Sequence, residues 1–414
     1  MKIFRCSHCD HPVFFENVSC LNCGSTLAFL PEALDMTVVV PVPEMGTPAP
    51  DSEDTAPDVP LWQAIHPTGD GDNSGAPRYR HCGHRTAHPP CNFVVAADDD
   101  NTLCVSCRQT RLLPDLSQGA NPSRWARIEV AKRRLYYTLA RLGLQSPNTH
   151  PADIPTFDLL ADLPGQPVVM TGHHNGVITL NVAEADDDER ARRRLQLREP
   201  YRTLLGHLRH ESGHFYWERL VVWGNRLDDF RALFGDESQD YAQALDAHYA
   251  RQNHDWQTSH VSAYATAHPW EDWAETWAHY LHMVDLLETA AAYSTRLQVP
   301  GAGEEDCVSD PFAAWPTDFD QLAREWVPVT LLLNSLNRSL GQDDAYPFAL
   351  YEGAMHKLRF VHDLIQASGV SAPVQPATPP VTEDTPAEVV ENNDTMVEAA
   401  VQQQTQDDTG QHQT

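Results

Sequence analysis

The stretch "HLRHESGHFYWERL" at residues 207–220 sets a histidine, a glutamate and a second histidine at His210, Glu211 and His214. Residues four apart share a helix face, so both imidazoles can meet one ion, with Glu211 beside them on the ion side. Two neutral ligands and a carboxylate able to take a proton suit metal-assisted hydrolysis. With 21 histidines in 414 residues, the pattern alone does not decide. Its surroundings say more. Tyr201, Leu204, Leu205 and Leu208 before it, and Phe215, Leu220 and Val221 after it, make the helix apolar enough to bury. Unpartnered imidazoles and a carboxylate inside a domain are costly without a metal, and a solvated helix would carry more Lys, Arg and Glu between them. Gly213 gives up about 1 kcal/mol of helix propensity relative to Ala, which makes sense where something must approach the backbone.

A catalytic zinc needs a third protein ligand and an open position for water. A continuation with glycine three residues past the second histidine and a further histidine three beyond is excluded, because Trp217 and Leu220 stand there. Downstream, "SAYATAHPWEDWAETWAHYLH" places Glu271 and Glu275 four apart, with Tyr264 seven residues before Glu271. One carboxylate can bind the metal while the other accepts a hydrogen bond from a ligating histidine; spacing permits either order. Trp270, Trp273 and Trp277 supply a core stripe on an adjoining face. His207, His279 and His282 read as packing or solvated histidines, and His268 stands near enough to Glu271 to line a cleft.

Eight of the nine cysteines fall in two clusters. Cys6, Cys9, Cys20 and Cys23 form two CxxC turns, each aiming two thiolates at one ion, which closes a structural zinc site within residues 1–30. A unit this small depends on metal to fold. Cys82, Cys91, Cys104 and Cys107 form a second such site within 76–118, with His81, His84 and His88 close enough to replace one cysteine. Cys307 is a lone thiol. Clustered cysteines suit a reducing compartment, and "MKIFRCSHCD" lacks the apolar core of a secretory signal. No run approaches the roughly 18 apolar residues that span a bilayer. The expected location is cytoplasmic, with no membrane partner.

The net charge is −29, and fifteen of the acids lie in 31–60 or after Gly369, where no Lys or Arg occurs. Phosphate would be repelled by such a chain, which argues against a nucleic-acid partner, and the first ribbon has little basic charge beyond Lys2 and Arg5. Residues 31–75 read as a disordered, acidic, Pro-rich linker, and 367–414 as a disordered acidic, Gln-rich tail. From Pro122, apolar residues at Trp125, Ile128, Ala131, Leu135 and Leu139 predict an amphipathic helix, and Asn175-Gly176 between β-rich runs predicts a hairpin. His173 and His174 at that turn read as solvated. "DDDERARRRLQLRE" pairs Asp188 with Arg192 and Glu189 with Arg193 on a solvated helix. Residues 200–365 are dominated by helical patterns, so the fold class is α+β, a mainly helical domain over 119–366 with a small sheet, preceded by zinc-ribbon modules.

Through "FRCSHCDHPVFFENVSCLNCG", "HLRHESGHFYWERLV" and "WEDWAETWAHYLH", the chain to about residue 365 resembles the bacterial zinc-binding metallopeptidases that carry an N-terminal zinc ribbon, within the broader gluzincin group. "SAYATAHPWEDWAE" also looks like the corresponding part of the anthrax lethal factor protease. The resemblance implies a zincin-like domain with Glu271 as third zinc ligand, Glu275 as the carboxylate behind a histidine, and Tyr264 as a transition-state hydrogen-bond donor. It further implies one catalytic zinc beside one or two structural ones, a peptide or protein substrate, and Glu211 as general base. A peptide could add to the sheet edge near "GVITLNVAEA". The rival reading is an adaptor that meets a protein partner through its ribbons, with a helical domain binding zinc for stability alone.

Overall fold

The N-terminal CxxC turns fold the chain back on itself. β1 (Phe4–Arg5) pairs antiparallel with β2 (Pro12–Val13), and Asp10 at φ 58° makes the left-handed reversal between them. The computed structural model describes residues 2–43, 60–65, 76–86, 90–197, 203–250, 256–298 and 306–368. His88, Tyr201, residues 44–59 and 66–75 of the expected linker, the side chain of Arg193 and the tail from 369 lie outside these.

β3 (Leu27–Leu30), β4 (Asp35–Pro41), β5 (Trp62–Ala64), β6 (Arg78–His81) and β7 (Val94–Ala96) form one antiparallel sheet in that order. The Phe29 amide donates to the Asn92 carbonyl at 2.9 Å, which brings the end of the sheet back toward its start. Both cysteine clusters therefore belong to one body, and two strands fall inside the stretch expected as linker, 31–75. The cause is "MTVVV": its β-branched residues bury Met36, Val38 and Val39 and outweigh the prolines and acids around them.

β8 (Thr110–Leu112) leads into α1 (Asn121–Arg141), whose Pro122 suits the first turn, where its missing N–H is not needed. Ile128, Leu135 and Leu139 face the helical core as the period predicts. Tyr136, Tyr137 and Ala140 face the other way, into the ribbon. The Tyr137 ring centroid lies 5.4 Å from that of Phe15 and 6.2 Å from that of Phe4. So α1 is a wall shared by two cores, and is not the one-sided amphipathic helix its apolar stripe suggests.

β9 (Thr156–Leu160), β10 (Gly172–His174) and β11 (Val177–Asn181) join β8 in the order β10-β11-β9-β8. The β10–β11 hairpin turns at Asn175 (φ 48°) and Gly176 (φ 81°), the pair of positive angles that a tight primed turn requires. β11 is paired on both sides, so "GVITLNVAEA" offers no free edge; the edges of this sheet are β10 and β8, and β10 is the one beside β11. On α2 (Asp187–Leu197) Arg192 reaches Glu189 at 2.7 Å rather than Asp188, since residues three apart are also neighbours on a helix.

The helical body comprises α3 (Leu204–Trp217), α4 (Leu227–Phe234), α5 (Tyr241–Ala250), α6 (Pro269–Ala292), α7 (Phe319–Ser339) and α8 (Glu352–Ala367). No helix among the described residues is long and apolar enough to cross a membrane. Thr203 starts α3 by accepting the Gly206 N–H at 2.9 Å; His268 and Pro269 start α6, His268 accepting the Trp270 N–H at 3.1 Å. His268 is thus a cap and not a cleft-lining residue. Trp273 and Trp277 are fully buried between α3 and α6, their indoles donating to Gly213 O at 2.8 Å and Ser212 Oγ at 3.1 Å. A charged seam ties the same helices to α1: Arg209 pairs with Asp285, Thr138 donates to Asp285 at 2.7 Å, and Tyr137 donates to Glu288 at 2.6 Å.

The Gly213 expectation is met by a backbone. A Cβ there would lie 3.0 Å from Ala274 Cα and 3.1 Å from Trp277 Cδ1, and Trp277 is packed too firmly to yield. On propensity alone Gly213→Ala would stabilise by about 1 kcal/mol. We expect overpacking to win, with a net loss of about 1–3 kcal/mol in thermal or urea unfolding. An unfolding midpoint at or above wild type would show that the two helices are not in this contact.

Candidate active site

Because His210 and His214 lie one turn apart on α3 and Gly213 admits α6, the first turn of α6 comes directly opposite the two imidazoles. Glu271 there puts Oε2 3.0 Å from His210 Nε2 and Oε1 3.6 Å from His214 Nε2. All three donor atoms lie within 4.8 Å of one another, and all three residues are buried. One turn on, Glu275 Oε1 sits 2.7 Å from His210 Nδ1, and its Oε2 accepts the Ser262 hydroxyl at 2.6 Å. The order that spacing left open is therefore visible: Glu271 faces both Nε2 atoms and Glu275 stands behind His210.

The electrostatics ask for a cation. Burial would lower His210, but hydrogen bonds to Glu271 and Glu275 overturn that and raise it well above the ordinary imidazole range. Burial would raise Glu271, yet His214 and His210 hold it down to about 2. Burial keeps His214 below its usual value, so it is the neutral ligand type. The start of α6 adds its own positive end to Glu271. Donors about 2 Å from a tetrahedral zinc stand about 3.3 Å apart, and the two measured separations straddle that spacing. The residues fit the metal.

Glu211 is buried and on the same helix. Burial pushes its carboxyl up, but a hydrogen bond from His207 and the nearby imidazoles hold it below the usual range. Oε1 lies 3.2 Å from His207 Nε2, and Oε2 is buried with no partner among the described residues. Tyr264 stands across from His210, ring centroids 6.0 Å apart, with its hydroxyl kept protonated by burial and by Glu271.

Several residues at the site are not those the sequence reading chose. Tyr241 on α5 donates its hydroxyl to Glu271 Oε1 at 3.0 Å and shares a hydrogen bond with Tyr264. Nothing in its spacing announces this, since α5 reaches the site through tertiary packing. Trp270 leaves the core stripe and packs its ring, tilted by 43°, against that of His214 with centroids 4.0 Å apart. His173 is not a solvated turn residue: its ring lies 6.4 Å from that of His214, burial lowers it to about 4, and its Nε2 accepts the Gly176 N–H at 3.1 Å. His279 is a buried packing residue bonded to Tyr346, and His282 is half-buried and bonded to Arg209. His207, also read as packing or solvated, bonds the general-base candidate; its i,i+4 relation to Glu211 was a signal available in the sequence.

The cysteines gather in two sets of four: Cys6, Cys9, Cys20 and Cys23, and Cys82, Cys91, Cys104 and Cys107. His81 and His84 are in neither set. Sulfur separations within the sets include 3.6 Å for Cys9–Cys20 and 3.8 Å for Cys91–Cys104. Thiolates about 2.3 Å from a tetrahedral zinc stand about 3.8 Å apart, whereas a disulfide bond is about 2.05 Å long. Without a cation the four thiols cannot ionise together: burial pushes Cys6 up to about 12 while Ser25 draws Cys23 down to about 6. Cys307 is exposed and free.

Residues 121–364, more than half of the chain, match the model of a family described as "Putative zinc-binding metallo-peptidase". The chain belongs to this family. Residues 3–118 of this zinc-binding metallopeptidase relative match a zinc-ribbon domain. Uncharacterized proteins of Mycobacterium bovis and Mycobacterium tuberculosis are 38% identical to it over 369 residues, 88% of this chain and 95% of theirs. No solved structure gives a significant match.

A proton and a metal compete for His210 Nε2. Because the two glutamates raise His210, zinc must displace that proton at neutral pH, so zinc held against a fixed chelator increases as pH rises and is lost on acidification. Glu275→Gln should weaken zinc binding at this site by about 10- to 100-fold without emptying the cysteine sites. Zinc titration of both proteins across pH checks this; equal affinities would mean that Glu275 does not support the ligand.

Proposed function

We propose that the protein is a zinc-dependent, gluzincin-like peptidase of the cytoplasm, with His210, His214 and Glu271 as the ligands of its catalytic metal. A bound zinc ion supplies Lewis acidity, polarising a carbonyl and making water acidic near neutral pH. The chain's own groups supply the rest. Glu211 takes a proton from the attacking water through its free Oε2 and passes it to the leaving amine. Tyr264 donates its O–H to the carbonyl oxygen as negative charge builds there. Glu275 holds His210 through Nδ1 so that Nε2 faces the centre. An extended peptide adds to the unpaired side of β10, an edge that comes near the site through His173, where main-chain hydrogen bonds would hold it across α3. The cysteine sites have no open position and serve structure.

The observation that carries this reading is Glu211 Oε2, a buried carboxylate oxygen without a partner among the described residues, one residue from a His–His–Glu donor set. An adaptor that held zinc for stability alone would have no use for it.

Glu211→Gln should retain full zinc content and lose peptide hydrolysis by about 10²- to 10⁴-fold, measured on a mixed peptide library. Tyr264→Phe should lose about 10²- to 10³-fold in kcat, as removal of one oxyanion donor does. Zinc-loaded wild type that cleaves nothing, alongside an equally silent Glu211→Gln, would favour the adaptor.

A further inference from the structure

The peptidase reading assigns Glu211 a role but leaves unexplained why one of its oxygens is tied and the other free. His207 sits one helical turn before it, with Nε2 3.2 Å from Glu211 Oε1. On its other side, His207 Nδ1 lies 2.6 Å from Glu184 Oε2. Glu184 belongs to the single turn Val182–Ala185 after β11 and is 1% exposed. It is held in turn: Thr171 donates its hydroxyl to Glu184 Oε1 at 2.6 Å, and Arg190 donates to the Glu184 carbonyl at 2.7 Å. Thr171 immediately precedes the edge strand β10 and also accepts the Asn181 N–H from β11 at 3.1 Å.

We infer that His207, anchored by Glu184, is a positioning residue that clamps Oε1 of Glu211 and leaves Oε2 as the oxygen that exchanges a proton with water and amine. This rests on the peptidase reading for its consequence, though not for its geometry. An imidazole between two carboxylate oxygens satisfies both only by donating from both nitrogens. A glutamate's terminal torsion is broad, so an untethered Glu211 would present either oxygen, or neither, to the reacting atoms. The clamp removes that freedom before substrate arrives. Through Thr171 it also fastens the base to the strand on which a peptide would lie, so the base and the substrate edge keep a common frame.

The test uses the zinc-loaded full chain. His207→Ala should lower kcat by about 10- to 100-fold with KM little changed, as loss of a supporting hydrogen bond does. Zinc content should stay at the wild-type level, because Glu211 is not a ligand. His207→Gln, which can still donate to Oε1, should recover a large part of kcat, and Glu184→Ala should fall between wild type and His207→Ala. Unchanged kcat in His207→Ala, or zinc loss that accounts for the drop, overturns the inference, as does a Gln variant no better than Ala. Nitrogen-15 spectra of histidine-labelled protein read the clamp independently of turnover, with His207 assigned by its absence in His207→Gln. Hydrogen-bonded N–H signals from both ring nitrogens are expected, and a bare Nε2 overturns the inference. Should wild type cleave no peptide while both signals are present, the peptidase reading falls and the clamp stands.

Discussion

At Gly213 the backbones of α3 and α6 approach so closely that a methyl group would press on Ala274 and Trp277. That contact fixes how far the histidines of one helix stand from the glutamates of the other. Four residues depend on it: His210, His214 and Glu271 are buried there with no solvent to turn to, and Glu275 is half-buried behind His210. Burial makes each of these groups expensive alone and favours their pairing. A largely buried set with two carboxylates held near 2 and one imidazole raised well above its ordinary range is a site built for positive charge. The proton on His210 is one way to supply it; a divalent ion is the other, and it satisfies all three donors at once.

The ribbon is not an appendage to this site. Its aromatic core closes over Tyr137 of α1, and the next residue along α1, Thr138, bonds Asp285 of α6, which also holds Arg209 beside the first histidine. Metal binding at four thiolates is folding free energy for the body that holds them, added to that of its own apolar core. Because the ribbon shares α1 with the helical body, that energy also supports the face on which α3 and α6 pack. A short seam of buried charge runs from ribbon to centre, and removing one member would leave its partner unpaired in a low dielectric.

The sequence made the ligand helix readable because a helical period places His210 and His214 on one side with no tertiary information. The same period announced Glu271 and Glu275, although only the packing distinguishes the one that faces both imidazoles from the one that stands behind. The four-cysteine sets were legible from the CxxC turns. What stayed hidden was tertiary: Tyr241 arrives on a separate helix, Glu184 on a turn after a strand, and Trp270 trades the core for His214. The linker reading placed its start too early for a different reason, since the acids and prolines around "MTVVV" dominated the composition while five β-branched or apolar residues in a row formed β4. His173 reads as a solvated turn residue but lies in β10, whose hairpin folds back onto α3.

Anomalous diffraction at the zinc edge from crystals of the full chain tests the central claim most directly. Three peaks are expected, two inside the cysteine sets and one bounded by His210, His214 and Glu271 with a coordination position open to solvent. No peak between those three side chains, or a fourth protein group such as Tyr241 filling the open position, would contradict a hydrolytic centre in this fold.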